Sequence, residues 1–129
     1  ETFEGASELR EAYRFPGWTP HRVVTRCRDD GEARVVRLTR REKKHDAARV
    51  NGVSRVVDQT SRRIRDLPCG ALRVYLDVSV RRVDCPTCGR VKQERLDWLA
   101  RNLHYTKRFA WYVGHRCRGA SIHEVAQEL

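Results

Sequence analysis

Residues 72–83 alternate more strictly than any other stretch of this chain, and that pattern fixes what the rest must be built around. Leu72, Val74, Leu76, Val78 and Val80 fall on one side of an extended backbone, while Arg73, Tyr75, Asp77, Ser79 and Arg81 fall on the other. A period of two held over this length predicts a half-buried strand, apolar toward a core and polar on its other face. The strand runs directly into Asp84-Cys85-Pro86-Thr87-Cys88-Gly89.

A Cys-x-x-Cys-Gly turn sets two thiolates on one tight loop, which is half of a zinc ribbon. A full structural site needs four ligands. Cys85 and Cys88 supply two, and the nearest partners are His45, Asp46 and Cys69, with Cys27 and His104 further off. No spacing among these demands a site, so the reading favours a knuckle held by backbone turns, with bound zinc as the alternative. Five cysteines with a single close pair do not make a secreted disulfide scaffold. A reducing compartment suits Cys27, Cys69 and Cys117 as small packed residues.

The remaining elements follow from turn and cap signals. A short helix is expected over 7–14, stopped by Phe15-Pro16-Gly17-Trp18. Strands over 22–28 and 33–40 flank Asp29-Asp30-Gly31-Glu32 and read as an antiparallel hairpin, with Val35, Val36 and Leu38 inward and Arg34, Arg37 and Arg40 toward solvent. Residues 41–49 are charged and without alternation, and 53–57 is a short strand candidate. A return strand is expected over 90–96. Thr106 is placed to cap a helix over 107–118 that Gly119 stops, and Ser121-Ile122-His123-Glu124 forms a capping box, with Ala120 and Val125 as a staple, for a second helix over 122–129. The fold class is α+β: a small antiparallel β unit of zinc-ribbon type followed by a C-terminal helical hairpin. The division is 1–20 as lead-in, 21–96 as the β domain, 97–106 as linker and 107–129 as the helices.

At 129 residues the chain suits one small domain with an appendage, and its net charge of +10, with a pI near 10.0, attracts polyanions. The surplus of Lys and Arg lies after Glu32. Arg62, Arg63, Arg65, Arg73, Arg81, Arg82, Arg90 and Lys92 surround strands expected to share one sheet, where they would line a phosphate-binding face. A catalytic reading fails, because His21, His45, His104, His115 and His123 are scattered, with no nucleophile or carboxylate at a motif spacing. Helix, Gly119 turn and capped helix also suit the opening of a helix-turn-helix whose recognition helix would follow Leu129.

Three runs carry a resemblance: Arg62-Arg63-Ile64-Arg65-Asp66-Leu67-Pro68-Cys69-Gly70, Leu72-Arg73-Val74-Tyr75-Leu76, and Arg81-Arg82-Val83-Asp84-Cys85-Pro86-Thr87-Cys88-Gly89. Together they resemble the N-terminal zinc-finger region of ISL3-family insertion-sequence transposases. Glu94-Arg95-Leu96, the run from Tyr105 to Phe109 and that from Ser121 to Ala126 are similar to the family's passage into its helix-turn-helix. The family has an earlier Cys-x-x-Cys-Gly, and here the corresponding place reads Ala48-Arg49-Val50-Asn51-Gly52, without thiols.

The resemblance implies a DNA-binding, non-catalytic part of a transposase that holds the inverted repeats of the element on double-stranded DNA in the bacterial cytoplasm and nucleoid. Phosphate contacts would come from Arg62, Arg63, Arg65, Arg73, Arg81, Arg82, Lys107 and Arg108. The chain starts with Glu and is expected to be a fragment or a processed product. The alternative is a stand-alone module that binds a protein, itself or full-length transposase, and regulates transposition. No membrane contact is expected.

Overall fold

The computed structural model describes residues 11–41, 56–84 and 89–129. Within them lie β1 (Trp18–Cys27), β2 (Asp30–Arg40), β3 (Val56–Cys69), β4 (Leu72–Asp84), β5 (Val91–Gln93), α1 (Lys107–Gly119) and α2 (Ile122–Glu128). The five strands form one sheet in the order β1-β2-β4-β3, with β5 paired to β4. Mostly β, with two short helices at the end, the fold is α+β as expected.

The sheet is mixed, however, and not antiparallel throughout. β1–β2 and β3–β4 are antiparallel hairpins, but β4 runs parallel to β2, pairing residues 73–77 with 33–37. The reason lies in which strand of the second hairpin can sit inside. β4 buries Val74, Leu76, Val78 and Val80 and takes neighbours on both edges, whereas the polar run Asp58-Gln59-Thr60-Ser61-Arg62-Arg63 of β3 suits an edge strand. Of the strand expected over 53–57, Val56 and Val57 are described, and they open one long strand, β3, with a register shift between Asp66 and Cys69 that accommodates Pro68. Gly70, at φ +59°, makes the two-residue turn into β4, a conformation that side chains beyond glycine rarely hold.

The first hairpin turns at Arg28 and Asp29, two residues before the expected Asp30-Gly31, and Cys27 pairs with Asp30. Asp30 is fixed there by its own contacts. Its carboxylate accepts the Glu32 N–H at 3.0 Å and the Arg73 Nε–H at 2.7 Å.

The core lies on one face of the sheet. Val24, Val36, Leu38, Ile64, Val74, Leu76, Val78 and Val80 are covered by Tyr13, Phe15, Trp18 and Leu99. Each such side chain contributes about 1.5–3 kcal/mol when buried. The return strand shortens to β5, and residues 97–106 bring Trp98 onto Phe15, ring centroids 4.4 Å apart, and edge-on to Trp18 at 6.0 Å. Tyr105 and Thr106 extend the free edge of β3, where the Arg65 N–H donates to His104 O at 2.8 Å and the Thr106 N–H to Arg65 O at 3.1 Å.

Both helices carry the expected caps. Thr106 Oγ1 accepts the Phe109 N–H at 3.2 Å, and Ser121 Oγ accepts the Glu124 N–H at 3.1 Å. Gly119 ends α1, and Ala120 follows in extended conformation. Phe109 and Val125 are the buried residues of α1 and α2. Of the helix expected over 7–14, only Glu11 and Ala12 are described as helical, residues 1–10 lying outside the described set. No helix among the described residues is long and apolar enough to cross a membrane.

Candidate nucleic-acid interface

Register decides which arginines share a face. Opposite residues of a ladder point to the same side, so Arg63 with Asp77, Arg65 with Tyr75 and Gln59 with Arg81 all lie away from the core. Parallel pairing adds Arg37 beside Asp77 and Ala33 beside Arg73 on that face. Arg37, Arg63, Arg65 and Arg73 thus surround Tyr75, with Asp77 among them and Arg81 further along the same face.

These cations are held differently. Arg37 is 68% exposed, and its Nε stands 3.8 Å from Asp77. Arg63 donates to Cys27 Sγ at 3.7 Å from an exposed position. Arg73 pairs with Asp30, and this hydrogen bond holds the Asp30 carboxyl below the usual carboxylate range. Exposed Arg82, at a register shift, pairs with Asp58 in the same way, and the Asp58 carboxyl is again lowered, chiefly by that hydrogen bond. Arg62 is opposite core residue Val78 and turns to the core side, where its Nη2 donates to Gln93 Oε1 at 3.0 Å.

Two predicted phosphate contacts are engaged in fastening the helices. Arg65 stacks its guanidinium 4.8 Å from the Phe109 ring and donates to Leu129 O at 3.0 Å. Arg108 grips Asp66 through Nε at 2.9 Å and Nη2 at 2.6 Å, donates to Ala12 O at 3.0 Å, and lies over Phe15 and Tyr13. Asp66 is fully buried and also accepts the Thr106 hydroxyl at 2.7 Å. Beside it the Tyr13 phenol donates to Leu67 O, and burial, then the Asp66 charge, pushes its pKa well above the ordinary value. Lys107 stays exposed and lines a groove of about 410 Å³ with Arg95, Arg101, Asp97 and Leu103.

A second buried pair lies at the β5 end. Arg40 and Glu94 are in contact with 9% of each side chain exposed, and Arg40 also donates to Ser79 O at 3.1 Å and covers the Trp18 ring at 4.5 Å. Glu94 Oε1 accepts the Arg81 N–H, and Arg81 O accepts the Glu94 N–H, both at 2.9 Å. Arg40, expected at solvent, therefore faces the core. Neither Asp66 nor Glu94 stood out in the sequence.

Residues 48–93 match the family described as the zinc-finger of transposase IS204/IS1001/IS1096/IS1165. The chain is related to the ISL3-family transposases. The transposase for insertion sequence element IS1001 of Bordetella parapertussis is 39% identical over 72 residues, which is 56% of this chain and 18% of that protein. This chain thus spans well under two thirds of the relative it matches. No solved structure matches it.

In the ISL3-type region the zinc question turns on which donors can meet. Cys85, Cys88 and His45 lie outside the described residues. Cys69 is described and exposed, at the turn that opens β4, while Cys85 follows Asp84 at the strand's other end. Thirteen residues of strand at roughly 3.3 Å each separate the turn at Cys69 from Asp84 by roughly 40 Å. Among the described residues no three His, Cys, Asp or Glu stand together as a metal site. The donors in view do not furnish a tetrahedral zinc site.

Proposed function

We propose that this chain is a DNA-binding, non-catalytic part of an ISL3-like transposase, holding the element's double-stranded ends through the open face of the sheet. The observation that carries the reading is the arginine-rich face itself: Arg37, Arg63, Arg65 and Arg73, set by the ladders of β2, β3 and β4 around Tyr75, with Arg81 further along the same face. Guanidinium groups fixed on a rigid sheet suit phosphate oxygens, which they can meet bidentately. Arg37 and Arg63 are the exposed members and make the first contacts; Arg73 and Arg81 are half-buried. Such contacts position a duplex without reading its sequence, so this chain binds inverted repeats and unrelated duplex with similar affinity.

Fluorescence anisotropy with labelled duplex DNA tests it. Affinity falls steeply between about 50 and 200 mM salt, and replacing Arg37 and Arg63 together by Ala lowers the slope of log affinity against log salt by about 2. Binding that ignored salt, or that the double variant left intact, would sink the proposal.

A further inference from the structure

The open side of α1 carries a pattern that the sheet face lacks. Lys107, Trp111, His115 and Arg118 recur at helical spacing and form one stripe, all four exposed. Trp111 is 68% exposed, a large apolar ring left in water. It stacks on His115 with ring centroids 4.9 Å apart and planes 9° from parallel, so the two make one flat aromatic platform. Gly114 lies beside that platform, and a Cβ there would meet nothing within 4 Å. Glycine inside a helix is less favourable than alanine, and no packing within the chain requires it here. The helix contains no Asp or Glu, and its arginines that pair with acids, Arg108 with Asp66 and Arg116 with Glu128, are not members of this stripe.

We propose that this stripe is a second nucleic-acid site, specific for unpaired nucleotides: a base stacks on Trp111 and His115, and Lys107 and Arg118 bind the flanking phosphates. Charge selects the occupant, since a helix with cations at both ends of the platform and no acid complements a polyanion. Ring geometry selects the strand state. In a duplex both faces of each base are already stacked and only edges are open, so an exposed ring face finds its match where bases are unpaired. On the sheet the aromatic residue, Tyr75, lies under the Arg65 guanidinium at 5.6 Å, so that face offers charge without an open ring. The inference rests on the DNA-binding reading and divides it between two surfaces.

Tryptophan emission gives the test, because Trp18 is buried, Trp98 half-buried and Trp111 open. Titration of the full chain with a short oligo-dT strand is expected to quench that emission. Trp111→Ala should weaken oligo-dT binding about ten-fold while duplex affinity changes less than about two-fold, and Trp111→Phe, which keeps a ring face, should restore most of it. Lys107→Ala with Arg118→Ala should reduce the salt dependence of oligo-dT binding, and the Arg37 and Arg63 variants should leave the quenching in place. If duplex DNA binds with the expected salt slope but oligo-dT does not, this inference fails alone; if neither binds at low salt, the DNA-binding reading fails with it. Equal loss of duplex and oligo-dT affinity in Trp111→Ala overturns it. So does a blue shift of Trp111 with protein concentration and no DNA present, which would make the stripe a contact between copies.

Discussion

Asp66 and Glu94 are both carboxylates that this fold withdraws from water, yet their partners are arranged in opposite ways. Asp66 gathers three separate segments. It sits on β3, takes Arg108 and Thr106 from the start of α1, and through Arg108 reaches Ala12 and the Tyr13–Phe15 aromatics. Glu94 closes a short loop between strands, joining the ends of β2 and β5 to the backbone of β4. Arg108 keeps 37% of its side chain in solvent, whereas Arg40 keeps 9%. A buried ion pair does not outperform a packed apolar pair, but removing one member strands a charge. The cost should therefore follow how far the surviving cation can escape to water.

Glu94→Ala is then the more damaging substitution. Arg40 is left charged under Trp18 and the Arg81 N–H loses its acceptor, so global stability in urea should fall by about 3–5 kcal/mol. Glu94→Gln keeps an oxygen for Arg81 and should lose less. Asp66→Ala should cost about 2–4 kcal/mol, because Arg108 can turn outward. Its signature is spatial: amides of α1 and α2 should lose hydrogen-exchange protection before those of β4 do. Equal losses and identical exchange patterns in the two variants would erase the distinction.

The sequence reveals what local rules control and conceals what depends on distant partners. Alternation placed β4, and Thr106 and Ser121 announced the helix starts, because period and capping are settled within a few residues. The parallel contact of β4 with β2 was hidden, since either strand of the second hairpin satisfies the same pattern and only their relative polarity favours β4 inside. Arg40 reads as a solvent charge and Arg108 as a phosphate contact, since a lone Arg looks the same whether a carboxylate waits for it 42 residues away in sequence, as for Arg108, or not. The sequence names the arginines of β3 and β4, but not which face of the sheet each takes. Arg62 is one residue from Arg63 and therefore points the other way.

Tyr13 makes a smaller contribution on the Asp66 side, and pH isolates it. Tyr13→Phe removes the hydrogen bond to Leu67 O and should cost about 1 kcal/mol at neutral pH. Because the folded phenol titrates above its unfolded value of about 10, the stability gained by keeping it neutral is complete below pH ~10 and drains away as pH rises further. The variant has no such loss. Thermal melts of the two proteins should therefore converge above pH ~10; a constant gap would show that the Tyr13 environment does not favour the neutral form.

The smallest effects belong to the carboxylates that face solvent, Asp58 and Asp30, and they restate the contrast outside the core. Both titrate below the unfolded value of about 3.9, so each lends stability above that pH and loses it as pH falls toward the folded pKa. Asp58 is held by Arg82, while Asp30 also accepts the Glu32 N–H at 3.0 Å. Salt screens a solvent-facing ion pair but leaves a backbone hydrogen bond in place. Asp58→Ala should therefore lower the melting temperature slightly at pH 7, and the difference should shrink both as pH falls below about 3.9 and at high salt. Asp30→Ala should show the same acid limb yet keep part of its effect at high salt, since it alone removes a carboxylate that anchors the turn as well as pairing with an arginine.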